Sequence, residues 1–134
     1  MSFSTVVNCI DGRVQLPVIR YLQERLGVLY VDVVSEAGPV GVLCRAAQSE
    51  AGASILRRVG VSVHAHGSES VAVVAHADCA GNPVGEEQQL RELAASVERL
   101  AETFPEVAVL GLWVDDSWSV TEVCGVGKAG SAEA

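Results

Sequence analysis

Short apolar runs rich in β-branched residues alternate with stretches of helical periodicity along most of this 134-residue chain. Four such runs predict strands, over residues 5–10, 28–34, 70–75 and 107–114. Strands that alternate with helices favour right-handed βαβ units, and strands that are apolar throughout favour a sheet covered on both faces. We therefore predict a three-layer α/β fold, with a central, mainly parallel four-stranded sheet and an antiparallel edge strand over residues 118–123.

Three stretches carry apolar residues at helical spacing and predict helices, over residues 17–26, 55–63 and 86–103. The first ends at Gly27 and the second closes near Gly67. The third is the clearest, because one continuous apolar stripe is opposed by a charged face. Residues 35–41, with one proline and two glycines, predict a loop, whereas residues 46–53 carry no decisive pattern.

The composition is that of a compact folded protein, with 49% apolar and 19% charged residues. We expect one domain over residues 1–124 and a flexible C-terminal tail over residues 125–134. A net charge of −8 argues against a nucleic-acid partner or an anionic membrane surface. No apolar run approaches the roughly 20 residues of a membrane span, and residues 1–12 have neither the basic start nor the long apolar core expected of a signal peptide. We expect a cytoplasmic protein with four reduced cysteines.

Soft ligands follow two of the predicted strands. Cys9 stands at the end of the first strand, and His76 and Cys79 stand just past the third. Ligands of open α/β sheets bind beyond the carboxyl ends of the strands, so the three converge if these strands are neighbours. Two thiolates and an imidazole suit zinc, with a fourth position left open. The alternative interpretation is two buried thiols and a core histidine.

Asp11 and Arg13 follow Cys9 closely and form the second candidate group. An arginine can clamp an aspartate through two hydrogen bonds and keep it ionised, and such a carboxylate could orient a zinc-activated water. If released from Arg13, Asp11 could instead bind zinc as a fourth ligand. The alternative is an ordinary ion pair at a turn. Cys44 and Cys124 are expected to be inert, partly apolar thiols.

In these residues the chain resembles the β-class carbonic anhydrases. The resemblance lies in Cys-x-Asp-x-Arg at Cys9, in His-x-x-Cys at His76, and in the segment LGLWVDDSWSV at residues 110–120. It implies that Cys9, His76 and Cys79 bind zinc and that Asp11 and Arg13 form a catalytic dyad. It also implies reversible hydration of CO2 to bicarbonate by a zinc-bound hydroxide, and assembly into a homodimer or a larger homo-oligomer.

The sequence departs from that family around the substrate pocket. Residues 35–39 read Ser-Glu-Ala-Gly-Pro, so the arginine and asparagine of the family's Arg-x-Ala-Gly-Asn are missing. Ala80 replaces the glycine that follows the second zinc cysteine, and we expect neither the family's N-terminal helical arm nor its upstream glutamine. Two other functions stay open: a hydrolase of COS, CS2 or a similar electrophile, and a non-catalytic zinc-stabilised binding or regulatory module in which Asp11 closes the metal site. A redox or metal-sensing role is a weaker option.

Overall fold

The structure, a computed structural model, describes residues 2–45 and 48–127. These residues form five strands, β1 (Phe3–Cys9), β2 (Tyr30–Glu36), β3 (Ser70–His76), β4 (Ala108–Val114) and β5 (Val120–Val126). They also form four α-helices, α1 (Gln15–Leu26), α2 (Pro39–Arg45), α3 (Glu50–Ala65) and α4 (Glu86–Thr103), with a 3-10 turn at Gly12–Val14. The strand order is β2-β1-β3-β4-β5, and only β5 runs antiparallel to its neighbour. The predicted α/β fold with an antiparallel edge strand is confirmed.

Helices cover both faces of the sheet and make three layers. Every residue of β3 and β4 is buried, which explains why their sequences are apolar throughout. On one face, α1 packs Val18 and Leu22 against strand residues that include Val74. On the other face, α2, α3 and α4 share a second core, to which Ile55 and Leu100 contribute.

The predicted loop over residues 35–41 is largely regular structure. Strand β2 extends to Glu36, and Pro39 begins helix α2. Proline suits the first turn of a helix because its fixed φ is helical and its missing N–H needs no partner there. Only Ala37 and Gly38 remain as the connection, with Gly38 at a φ of +60°. The undecided stretch enters α3 at Glu50, whereas residues 46 and 47 lie outside the described residues.

The ends of several elements differ from the predicted ones by one to three residues. Strand β1 ends at Cys9, and β2 begins at Tyr30 rather than at residue 28. Strand β5 begins after Trp118, which takes a φ of +63° inside the turn, and it includes the first two residues of the predicted tail. Residues 128–134 lie outside the described residues. In the described part of the chain, no helix combines the length and apolarity needed to cross a bilayer.

Candidate metal centre

Strands β1 and β3 are hydrogen-bonded neighbours, so their carboxyl ends meet at one edge of the sheet. Cys9 is the last residue of β1, and His76 is the last residue of β3. Cys79 follows three positions later, in the turn that leads towards α4. The predicted juxtaposition of these three side chains is therefore present in the tertiary structure.

The three side chains form a compact, buried group of possible ligands. One ligand atom from each lies within 4.8 Å of the others, and their exposed fractions are 2% for Cys9, 1% for His76 and 5% for Cys79. The two sulfur atoms are 3.8 Å apart. A disulfide would need about 2.0 Å. Two zinc–sulfur bonds of about 2.3 Å at a tetrahedral angle place the sulfurs about 3.8 Å apart, so the spacing fits a zinc dithiolate.

The imidazole of His76 presents an unsatisfied nitrogen in this group. Its Nδ1 lies 2.7 Å from the carbonyl oxygen of Ala77, to which it donates when that nitrogen carries the proton. Its Nε2 is buried and has no hydrogen-bond partner. A buried nitrogen without a partner is costly in a protein interior. An imidazole that donates through one nitrogen to a carbonyl and offers the other as a lone pair has the arrangement of a metal ligand.

The thiols of Cys9 and Cys79 shift each other's pKa in opposite directions. The hydrogen bond from Cys79 lowers the pKa of Cys9 well below its ordinary value, in spite of burial, and His76 and the backbone N–H groups of Gly38 and Asp11 act in the same direction. The hydrogen bond to Cys9 and burial raise the pKa of Cys79. Burial lowers the pKa of His76, but the nearby Cys9 and the hydrogen bond to the carbonyl oxygen of Ala77 outweigh it and raise that pKa. A second thiolate therefore needs a cation in the group, which a zinc ion would provide.

Asp11 and Arg13 form a bidentate ion pair beside this group. Arg13 donates from Nε to Oδ1 of Asp11 at 3.0 Å and from Nη2 to Oδ2 at 2.7 Å. Its backbone N–H also donates to Oδ1 at 2.9 Å, which caps the 3-10 turn. These hydrogen bonds lower the pKa of Asp11 to about 2. Among the described residues, Asp11 is not part of the convergent group of possible metal ligands.

Three further residues hold this dyad and were not predicted to do so. Asp78 accepts from Nη1 of Arg13 at 3.3 Å, and the guanidinium lies 4.5 Å above the ring of Trp118. Gln15 donates to the carbonyl oxygens of Cys9 at 2.7 Å and Asp11 at 2.9 Å. Only Asp78 carried a sequence signal, since it lies between His76 and Cys79 and aspartate tolerates its φ of +57°.

Two glycines allow the loops around the site to touch through their backbones. A Cβ at Gly38 would lie 2.6 Å from the carbonyl carbon of Gly81, and a Cβ at Gly81 would lie 2.6 Å from that of Ala37. Neither backbone can yield, so both positions need glycine. Ala80 is exposed, which explains why a side chain is accommodated directly after Cys79.

The remaining cysteines and histidines lie elsewhere. Cys44 is on α2 and Cys124 is on β5, and both are partly buried free thiols. Burial is the main cause that raises the pKa of Cys124, in agreement with an unreactive thiol. His64 lies on α3, and His66 at the end of that helix pairs through Nδ1 with Asp32 at 2.6 Å.

Comparison with known proteins supports the resemblance to carbonic anhydrases. Residues 1–124 match the model of a protein family described as "Putative carbonic anhydrase". No curated protein matches the chain. Among solved structures, a β-carbonic anhydrase of Sordaria macrospora, described as tetrameric, is 14% identical, with a TM-score of 0.63 over 95% of this chain and 84% of that chain.

Two other solved structures are similar in fold. A β-carbonic anhydrase of Trichomonas vaginalis is 16% identical, with a TM-score of 0.55 over 90% of this chain and 81% of that chain. A carbon disulfide hydrolase is 13% identical, with a TM-score of 0.52 over 90% of this chain and 78% of that chain. At these identities the likeness establishes the fold.

Proposed function

Since this chain belongs to the carbonic anhydrase family whose model it matches over residues 1–124, we propose that it is a zinc lyase that reversibly hydrates CO2 to bicarbonate. The observation that carries the proposal is the convergence of Cys9, His76 and Cys79, with an unpaired Nε2, beside a carboxylate held by an arginine. Bound there, zinc would supply a Lewis acid that lowers the pKa of water from about 15.7 towards about 7.

In this proposal the chain supplies the ligands and leaves a fourth position open. The sulfur spacing of 3.8 Å and the free Nε2 of His76 support three protein ligands in a tetrahedral arrangement. The carboxylate of Asp11 supports the open position, because its oxygens are turned to Arg13 and accept three hydrogen bonds from it. Asp11 would have to leave Arg13 before it could close the site.

Asp11 would act as the hydrogen-bond acceptor that orients the attacking water. With a pKa of about 2, its carboxyl group stays ionised throughout the neutral range. Arg13 holds the carboxylate in one orientation, and Asp78 and Trp118 in turn restrict Arg13. A fixed acceptor directs the water's lone pair towards the carbon of CO2 without a reorganisation step.

Stopped-flow CO2 hydration with the zinc-loaded protein tests the proposal between about pH 6.5 and 9, where the pKa of a zinc-activated water near 7 lies. We expect hydration above the buffer rate and its loss in Cys79→Ser. The matched control is Cys44→Ser, the same substitution at a free cysteine on α2 away from the group, which should keep the activity. A rate equal to buffer across that range in the zinc-loaded protein would overturn the lyase assignment.

A second candidate is hydrolysis of COS or CS2. It is favoured by residues 35–39, where Ser35 and Pro39 stand at the positions of the family's pocket arginine and asparagine and where Glu36 pairs with Arg58. One of the solved structures of similar fold is a carbon disulfide hydrolase. Sulfide release from CS2 by the zinc-loaded protein, without CO2 hydration, would favour this activity over the lyase.

Two further properties belong to the proposal. We propose that the chain forms a homodimer or a larger homo-oligomer, supported by large exposed apolar side chains on and before the edge strand β2, namely Leu29, Tyr30 and Val33. Sedimentation equilibrium would test this, and a monomer would contradict it. We also propose a cytoplasmic location, supported by four free cysteines.

A further inference from the structure

A closed ring of three polar side chains lies beside the Cys79 turn. Glu92 of α4 is 4% exposed and accepts a hydrogen bond from Nδ2 of Asn82 at 2.7 Å. Arg45 of α2 donates from Nη2 to Oδ1 of Asn82 at 2.8 Å and pairs through Nη1 with Glu92. Gln88 donates to the same carboxylate at 3.0 Å. Each side chain of the Arg45–Asn82–Glu92 ring thus contacts the other two.

The ring joins the metal centre to two helices through Asn82. The backbone N–H of Asn82 donates to the carbonyl oxygen of Cys79 at 3.3 Å and closes the turn that carries this thiol. Its own carbonyl oxygen accepts from Nε2 of the buried Gln89 at 2.9 Å. Pro83 follows Asn82 and restricts its backbone to extended conformations. The position of the Cys79 sulfur therefore depends on where Asn82 is held.

We propose that Arg45, Asn82 and Glu92 are positioning residues that fix the Cys79 turn and thereby the place of its ligand sulfur. The inference rests on the proposed function, since it assigns these residues to the same metal site. It adds a second support for the centre, from α2 and α4, to that of the Asp11–Arg13 dyad, and it gives the buried charge of Glu92 a role beyond packing. Arg45 and Glu92 act through Asn82, with whose side chain both form hydrogen bonds.

The test measures the metal's own spectrum in Glu92→Gln. In this variant the amide N–H2 replaces one acceptor oxygen and faces donors from Asn82, Arg45 or Gln88, so the ring cannot close. The control is Glu122→Gln, the same substitution at a carboxylate that pairs with Arg25 at 3.0 Å and lies on β5. Both variants are loaded with cobalt(II), and the thiolate-to-metal charge-transfer band is recorded alongside the zinc dissociation constant.

We expect Glu92→Gln to shift the band, because a sulfur that the turn no longer holds in place changes its distance to the metal, and to weaken zinc binding by about 10- to 100-fold. Glu122→Gln should change neither. Arg45→Gln, at a half-exposed side chain whose loss threatens folding less, should shift the band in the same direction.

The possible outcomes distinguish a failure of the positioning role from a failure of the proposed metal site. A thiolate band in the unaltered protein that stays unchanged in both ring variants, with circular dichroism showing them folded, would overturn the positioning role and leave the proposed function intact. The absence of any thiolate band in the unaltered protein would overturn the metal site, and the positioning role with it.

Discussion

Two polar clusters are built into the sheet and its helices, and they differ in how their hydrogen bonds are satisfied. In the metal group of Cys9, His76 and Cys79, the Nε2 of His76 has no partner, and the neighbouring Cys9 and burial raise the pKa of Cys79. The second, the hydroxyl cluster, brings together side chains from β1, β2, α3 and the segment between α3 and β3, namely Thr5, Asp32, Ser62, His66 and Ser68.

The polar groups of the hydroxyl cluster find hydrogen-bond partners within the cluster. Ser62 donates to Asp32 at 2.6 Å, and its oxygen can accept from Thr5 at 2.6 Å and Ser68 at 3.0 Å. His66 pairs with the same carboxylate. A surface cavity of about 250 Å³ is lined by members of this cluster, including Asp32 and Ser62. A cavity does not make a binding site by itself; the comparison indicates that unsatisfied, convergent polar atoms are the better sign of one.

The largest expected effect is on metal binding. Cys79→Ser removes one of the two sulfurs, and since changes next to a metal site already cost about 10- to 100-fold in affinity, we expect zinc binding to weaken by more than about 100-fold. Zinc analysis after gel filtration measures this. Ser62→Ala, in the hydroxyl cluster, should keep one zinc per chain. Full zinc in Cys79→Ser would make the ligand assignment wrong.

The next effect concerns the glycine contact that holds the Cys79 turn against the loop after β2. Gly81→Ala forces a methyl group to within 2.6 Å of the backbone of Ala37, and we expect a loss of about 3 kcal/mol in the free energy of unfolding. Gly60→Ala is the matched control. Its Cβ meets Phe104 at an ordinary 3.7 Å inside α3, so it should gain about 0.5–1 kcal/mol. Urea denaturation compares the two, and equal midpoints would contradict the close approach.

A smaller effect tests the hydroxyl cluster. Ser62→Ala leaves the buried hydroxyls of Thr5 and Ser68 without their acceptor and removes a donor from Asp32, at an expected cost of about 1–3 kcal/mol. Chemical denaturation measures this cost, and cobalt(II) spectra of the folded variant should be unchanged. A changed spectrum would mean that the two clusters are coupled rather than independent.

The smallest expected effect is the pH dependence of the stability that the Arg45–Asn82–Glu92 ring contributes. Burial raises the pKa of Glu92, but hydrogen bonds from Asn82 and Gln88 and the charge of Arg45 outweigh it, so its pKa lies below the ordinary value. Because the folded pKa is below the unfolded one, this stabilisation is present above about pH 4.3 and is lost as the pH falls through the folded pKa.

The stability difference between the unaltered protein and Glu92→Gln should therefore be greatest near neutral pH and shrink in acid. Since Arg45 is half exposed, we expect the pH-dependent part to be only about 1 kcal/mol. Urea midpoints at a series of pH values measure it. A difference that grows towards low pH would mean that the pKa of Glu92 is raised rather than lowered.

The fold was predictable because its strongest elements are decided locally. The helix over residues 86–103 has an apolar stripe that only a helix can bury on one side, and it was predicted with the bounds that it has. Helix α2 was missed, because Pro39 and Gly41 read as loop residues when their neighbours are unknown. The glycine in this helix is explained by tertiary packing. Gly41 lies beneath Arg45 and Asn82, where a Cβ would approach the side chain of Asn82 to 3.0 Å.

The candidate site was predictable in part. Cys9, His76 and Cys79 stood out because their chemistry is unusual and each follows a strand. The ring of Arg45, Asn82 and Glu92 could not be found in this way, since common polar residues on a helix surface and a loop carry no signature of mutual contact. Gln15 was missed for the same reason.

By itself the sequence determined the strand and helix periodicities, the zinc-type ligand chemistry and the family, because these depend on residue identity and short spacing. The tertiary structure decided which strand ends meet, that the sulfurs lie 3.8 Å apart, and that the carboxylate of Asp11 is turned to Arg13. Those facts depend on strand order and on loops that touch at Gly38 and Gly81, and no local pattern specifies a contact between residues that lie far apart in the chain.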